Sequence, residues 1–325
     1  MTSVAVTATS QSKGGAHPGR LGNTLFGGSA WTFGILVLIL LAAVMIALVI
    51  GALPAFREFG ISFIWTEVWN PGKDIYGALA PLYGTLVTAF IAMIIGVPFS
   101  LGIAIFLTEL CPNYLKRPIS TAVELLAAVP SIIYGMWGLF VFVPIMGKYV
   151  IPWLNDHLGE LPVLGALFRG PPMGLGMLTA GIVLAIMVIP FISSVMREVF
   201  LTVPTRLKES AYALGSTTWE VAWDIVLPYT RTAVIGGVFL GLGRALGETM
   251  AVTFVLGNVH RLSLSLLEPG NSIAATIANE FAEADSDIFR SSLIALAFLL
   301  FVVTFIVLMI AKLMLRQMEK REGKV

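Results

Sequence analysis

The chain has 325 residues, of which 57% are hydrophobic and only 12% are charged, and its formal net charge is +1. Soluble domains of this size rarely carry so little charge, and no basic field is available to attract nucleic acid. The single cysteine, Cys111, excludes an intramolecular disulfide. Apolar runs of about 20 residues or more are long enough to cross a hydrocarbon core, so the composition predicts a polytopic membrane protein in contact with lipid.

Six apolar segments are predicted to span the membrane as helices, which gives an all-α fold. In chain order they cover residues 31–53, 78–107, 119–146, 175–196, 233–257 and 292–315. The first is too long and begins too late for a signal peptide, so a retained helix is expected. Proline and glycine interrupt the second and third segments, which is tolerated where neighbouring helices or a water-filled cavity satisfy the freed backbone groups.

The ends of the chain and the charge balance predict how these helices are oriented. Residues 1–28, rich in Ser, Thr and Gly, are expected to form a disordered cytoplasmic tail, and residues 319–325 a second one. Residues 29–75 would hold the first helix and an outer segment. With both termini inside, 13 Lys and Arg residues lie on the cytoplasmic side and six in the outer loops, as the positive-inside rule requires. The last outer loop is acidic around Glu280 and Glu283, either as a solvated loop or as a docking surface.

A polar segment, residues 206–231, separates the fourth and fifth spans: RLKESAYALGSTTWEVAWDIVLPYTR. By composition alone it could be an interfacial amphipathic helix, which Trp219 and Trp223 would suit. Its spacing resembles the "EAA" loop of ABC importer permeases, E-A-A-x3-G-x9-I-x-L-P, and departs from it only at Ser210. The residues that match are Glu209, Ala211, Gly215, Ile225, Leu227 and Pro228. The resemblance implies that residues 206–228 form a coupling helix that sits in a cleft of an ATPase subunit.

Three further stretches resemble the phosphate (Pst) branch of this family: residues 76–110, residues 124–144 and GRALGETMAV at 243–252. The sequence YGMWG at 134–138 is more similar to PstC than to its sister PstA. The resemblance implies a type I ABC importer permease fold over residues 76–318. It also implies a heterodimeric channel in a bacterial cytoplasmic membrane, which passes phosphate by alternating access.

The partners that the resemblance implies are a PstA-like second permease, PstB-like cytoplasmic ATPase subunits and a PstS-like extracytoplasmic phosphate-binding protein. The sequence contains no Walker A lysine and no recognisable set of catalytic residues, so we do not expect this chain to be an enzyme. ATP would be bound by the partner ATPase. Scattered histidines give no reason to expect a metal site. Sulfate or molybdate remains an alternative substrate, and an ion-coupled secondary carrier a more distant alternative.

Charged side chains within the spans are candidates for function because each costs about 2.5–3.5 kcal/mol at the centre of a membrane helix. Arg244 and Glu248 are four residues apart and would share one helical face. The small residues Gly237 and Gly241 precede them on that same face. They form either a structural ion pair or a contact for the anion, with the guanidinium on phosphate oxygens. Glu124 is a third charge expected at helix depth.

Three polar groups are expected at the same depth as these charges. They are Thr85, Ser131 and Tyr134. Each is either a helix-packing hydrogen bond or part of the substrate pathway.

Overall fold

The computed structural model describes residues 20–162 and 164–321, and within these ranges the regular elements are helical. The chain divides into two compact units, residues 1–50 and residues 51–325, and every candidate site residue lies in the second. The predicted tail over residues 1–19 lies outside the described residues, as do residues 322–325. The first helix begins at Arg20, well before the predicted end of the tail at residue 28.

Ten helices are labelled in chain order, with short turns of helix between some of them. They are α1 Arg20–Phe59, α2 Leu79–Ile105, α3 Asn113–Ala127, α4 Ser131–Leu158, α5 Met177–Leu201, α6 Thr205–Ala213, α7 Thr218–Leu246, α8 Met250–Leu256, α9 Ile273–Glu280 and α10 Asp287–Arg321. Six helices of the described chain are long and apolar enough to cross a membrane: α1, α2 with its extension to Leu110, α4, α5, α7 and α10. The predicted number of spans is confirmed.

The third predicted span, residues 119–146, is wrong in its limits. The helix that contains residue 119 ends at Ala127, and a new helix starts at Ser131 and continues to Leu158. The residue before a proline is pushed away from helical backbone angles, and proline itself cannot donate a hydrogen bond, so Pro130 separates the two. Helix α3 is amphipathic and lies outside the six spans.

The fifth predicted span, residues 233–257, is also divided. Helix α7 ends at Leu246, Gly247 follows as its C-cap, and α8 starts only at Met250. The backbone N–H of Gly247 donates to Gly243 and that of Glu248 to Ala245, which tightens the last turn before the chain leaves the helix. Arg244 and Glu248 therefore belong to different elements, and the expectation that they share one continuous face is wrong.

Helix α5 forms the centre of the bundle. Most of its spanning stretch is buried, with Ala180, Leu184 and Val188 fully enclosed. Glycines of α7 let that helix approach closely: a Cβ on Gly241 would lie 2.5 Å from Ile192, and one on Gly237 would lie 3.0 Å from Val195. The predicted G-x-x-x-G pair is therefore a helix-packing surface, as small residues at membrane helix interfaces usually are.

A second close approach joins α2 to the turn before α9. At Gly84 an added Cβ would stand 1.9 Å from the carbonyl oxygen of Asn271. Beside it the Thr85 hydroxyl donates to Pro81 and accepts from the backbone N–H of Ile273, at 2.8 and 2.9 Å. These contacts hold residues far apart in the chain in one packed layer.

We expect Gly84→Ala to destabilise the protein, because backbone atoms cannot move aside as a side-chain tip can. Gly102→Ala is the matched control on the same helix, since nothing lies within 4 Å of its added Cβ. The control should be neutral or stabilising, because alanine favours a helix over glycine by about 0.5–1 kcal/mol. Thermal unfolding of the two purified variants measures the difference, and equal midpoints would show that the α2 contact at Asn271 is absent.

Candidate substrate pathway and coupling surface

Arg244 lies in the last turn of α7 and points toward α5. Its guanidinium carbon stands 5.2 Å from the centre of the Phe191 ring, a distance at which a cation is attracted to an aromatic face. Its Nε atom is buried and has no hydrogen-bond partner among the described residues. The guanidinium is also near enough to the Tyr134 hydroxyl to interact electrostatically. Arg244 is thus positioned by an aromatic ring and lacks a neutralising partner among the described residues.

Glu248 does not supply that partner. Its carboxylate accepts a hydrogen bond from the backbone N–H of Ala251 at 3.2 Å, in the first turn of α8. A carboxylate in this position satisfies an orphan N–H and interacts favourably with the positive end of the helix. Among the ion pairs of residues 20–162 and 164–321, none joins Glu248 to Arg244. The predicted structural ion pair is therefore absent from the described chain.

The three predicted hydroxyl residues occupy separate positions. The Tyr134 hydroxyl donates to the carbonyl of Leu126 at 2.9 Å and closes α4 back onto α3. The Thr85 hydroxyl is occupied by its hydrogen bonds to Pro81 and Ile273. Ser131 is the half-buried first residue of α4. Tyr134 stands near Arg244. Thr85 stabilises the fold through packing hydrogen bonds.

Glu124 was expected at helix depth, and this expectation is wrong. It lies on α3, its side chain is 56% exposed, and it pairs with Arg197 of α5 at 3.3 Å. Arg197 also pairs with Glu198 at 2.7 Å. Sequence reasoning overlooked Arg197 and Phe191, although Arg197 was already visible as a cation at the end of the fourth apolar run.

Helices α4 and α8 meet closely next to Arg244. A Cβ on Gly135 would lie 2.9 Å from the carbonyl oxygen of Met250 and 3.0 Å from the Cα atom of Ala251. One turn further along α4, a Cβ on Gly138 would lie 2.9 Å from the side chain of Val255 and 3.1 Å from that of Val183. The broken region after Arg244 is therefore clamped between α4 and α5, and a movement of either helix would displace it.

The segment with the coupling pattern forms a helix, a glycine stop and a second helix, as its sequence predicts. Helix α6 ends at Ala213, and Gly215 adopts a left-handed backbone with φ of +92°, which glycine accepts without strain. Helix α7 then begins with a capping box, in which Thr217 and Glu220 exchange hydrogen bonds. The segment is a preformed rigid unit.

The matching residues divide between the two sides of this unit. Ala211 is buried in the main core, while Ile225 and Leu227 are half-buried. Glu209, Gly215 and Pro228 are exposed, and Leu214 beside them is 89% exposed. One side therefore attaches the segment to the bundle, and the other is open to a partner.

An ion pair fastens α6 to the end of α2. The Lys208 ammonium lies 2.5 Å from a carboxylate oxygen of Glu109, and only 16% and 6% of the two side chains are exposed. Enclosure from water strengthens the attraction between the two charges but also adds a desolvation cost, so the pair is costly to break from one side. The contact therefore joins α6 directly to the end of α2.

Comparisons with known proteins agree with this architecture. Residues 96–320 match the family described as "Binding-protein-dependent transport system inner membrane component". The "Phosphate transport system permease protein PstC" of Xylella fastidiosa is 64% identical, with 88% of each chain covered. A protein of the same name from Pasteurella multocida is 59% identical over 90% of this chain and 91% of its own.

More distant matches extend the agreement. The "Probable phosphate transport system permease protein PstC" of Methanocaldococcus jannaschii is 41% identical over 72% of this chain and 74% of its own. A chain of a bacterial alginate ABC transporter superposes with a TM-score of 0.59 at 16% identity, over 93% of this chain and 99% of its own. That likeness shows a shared fold, that of an ABC importer permease. The protein belongs to the family of binding-protein-dependent transport system inner membrane components.

Proposed function

We propose that this protein is the PstC-like permease subunit of an ATP-driven importer and that it passes inorganic phosphate across the membrane by alternating access. The observation that carries the proposal is Arg244, a half-buried cation in a spanning helix whose Nε atom is enclosed and which has no carboxylate partner in the described chain. Relatives at 64% and 59% identity are named phosphate permeases, which favours phosphate over sulfate or molybdate.

Arg244 has the chemistry that a phosphate contact needs. A guanidinium stays charged and offers a planar fork of N–H donors, which matches two oxygens of a tetrahedral anion. Its Nε donor is unsatisfied in the described chain, and a buried donor without a partner is costly. A passing anion would satisfy that donor. A single guanidinium, held by the Phe191 ring and near the Tyr134 hydroxyl, would bind the anion without forming too deep a trap, so that release remains fast.

Movement of the coupling segment would couple ATP hydrolysis to transport. We place its exposed side, around Glu209 and Leu214, in the cleft of an ATPase subunit that binds and hydrolyses ATP. Closure of that subunit would push α6 as a rigid body, and the Lys208–Glu109 pair would carry the displacement into α2. We therefore propose that both termini and the coupling segment lie in the cytoplasm of a bacterial cell, which the distribution of Lys and Arg supports.

The remaining subunits follow from the same reasoning. A second, PstA-like permease would complete the channel, and a PstS-like extracytoplasmic protein would deliver phosphate to the outer loops. ATP would bind only to PstB-like subunits. The names of the relatives support a phosphate transport system of this kind.

Arg244→Ala and Arg244→Lys test the proposed pathway contact. We expect uptake of radiolabelled phosphate to fall about tenfold or more in both, because lysine cannot reproduce the bidentate contact. Assembly and ATP hydrolysis by the complex should persist, since Arg244 neutralises no other residue of the described chain. Arg316→Ala, an exposed cation near the end of α10, should transport normally. Near-normal uptake by either Arg244 variant would remove Arg244 from the pathway.

Variants of the Lys208–Glu109 pair test the mechanical link. Lys208→Met or Glu109→Gln alone should destabilise the complex by about 3–5 kcal/mol, because each breaks a largely enclosed pair from one side. The exchange Lys208→Glu with Glu109→Lys should recover stability and part of the phosphate transported per ATP. Lys312→Met, on the exposed surface of α10, is the control. If single variants matched the control in both thermal stability and transport per ATP, α6 would not act through α2.

A further inference from the structure

A polar cavity of about 430 Å³ lies between the start of α3 and the end of α5, apart from Arg244. Its lining includes the cations Lys116, Arg117 and Arg197, with Glu124 as the carboxylate that faces them. Such a concentration of polar groups is unusual in a chain with so few charges. The cavity is therefore a candidate binding site, and its charged lining determines which ligands would fit.

The charges around the cavity are only partly balanced. Glu124 and Glu198 both hold one terminal nitrogen of Arg197. Lys116 donates to the carbonyl of Thr108 at 3.0 Å, which fixes its position without removing its charge. Arg117 is exposed and takes part in none of the ion pairs of the described chain. The three cations outnumber the carboxylates, so the field in the cavity favours an anion.

Two buried polar atoms at the cavity have no partner in the described chain. They are the hydroxyl oxygen of Ser120, a residue only 4% exposed, and the Nε atom of Arg197. Leaving such groups unsatisfied is costly, and native proteins avoid it unless a ligand or water completes them. A tetrahedral oxyanion has enough acceptor oxygens to satisfy Ser120 and Arg197 together and to contact Arg117.

The position of the cavity relates it to transport. Arg197 is six residues beyond Phe191 on α5, a rise of about 9 Å along the helix. Phe191 holds Arg244, whereas α5 ends at Leu201, shortly before the coupling helix α6. The cavity thus lies further along the bundle from Arg244, toward the end that carries the coupling segment.

We infer that this cavity binds a phosphate-type oxyanion at the coupling end of the bundle. The ligand is either free inorganic phosphate or the phosphate of an anionic lipid headgroup, since both present the same oxygens to Ser120, Arg117 and Arg197. The site shares no residue with the Arg244 contact, so it can be tested with that contact removed.

The test uses the full chain, purified with its co-purifying subunits in lipid nanodiscs and carrying Arg244→Ala. Radiolabelled inorganic phosphate is titrated by equilibrium dialysis in phosphatidylcholine discs. Retained lipid is measured by native mass spectrometry after reconstitution with phosphatidylglycerol. Ser120→Ala and Arg117→Gln are compared with Arg316→Gln, which changes an exposed cation away from the cavity. Without ligand, Ser120→Ala should leave the thermal midpoint unchanged or raise it, because the substitution removes a buried hydroxyl that has no partner.

If free phosphate is the ligand, its dissociation constant should rise about fivefold or more in both cavity variants and stay unchanged in the control. If a lipid headgroup is the ligand, phosphatidylglycerol retention should fall in the same two variants, with no phosphate bound in phosphatidylcholine. Either result supports the site. Equal phosphate binding and equal lipid retention in cavity variants and control, or no binding of either, would overturn it.

Discussion

The charged side chain of Arg244 lies in an apolar helix bundle and has to be positioned there without a carboxylate that neutralises it. The arrangement of the surrounding helices follows from this constraint. The break after Leu246 separates Arg244 from Glu248 and commits the carboxylate to the start of α8. The Phe191 ring then positions the cation from the side. A direct ion pair would have been the simplest way to offset the cost of the charge. Its absence leaves the positive charge available to an anion.

Close packing makes this arrangement rigid and connects it to the coupling segment. Gly241 lets α7 press against α5, and Gly135 lets α4 approach the backbone of α8, so the region after Arg244 is confined on two sides. At the other end, Lys208 ties α6 to α2. Packed helices of this kind move as discrete bodies and do not deform continuously. Under the proposed function, a push on α6 would reach the surroundings of Arg244 through these packed helices.

Much of this could be predicted from the sequence, and the failures have physical causes. Apolar runs predicted the six spans, and Gly215 predicted the stop between the two helices of the polar segment, because these signals are local, whereas the coupling role came only from the resemblance to the EAA loop. The break at Gly247 was missed because the apolar run continues through it, and only the tertiary contacts of α8 decide where a helix stops. Pro130 was a visible sign that the third span should begin later. The partners of Thr85 and Arg197 lie far away in the chain, so no spacing rule could identify them.

The central claim, that Arg244 is not paired with Glu248 or with another carboxylate of residues 20–162 and 164–321, is tested most directly by a double-mutant cycle between Arg244→Gln and Glu248→Gln. The quantity measured is the free energy of unfolding of the purified complex without phosphate, for both single variants and the double variant. The account predicts nearly additive effects, with a coupling energy below about 0.5 kcal/mol. A coupling of about 1 kcal/mol or more would show that the two charges stabilise each other as a pair, and would contradict the account.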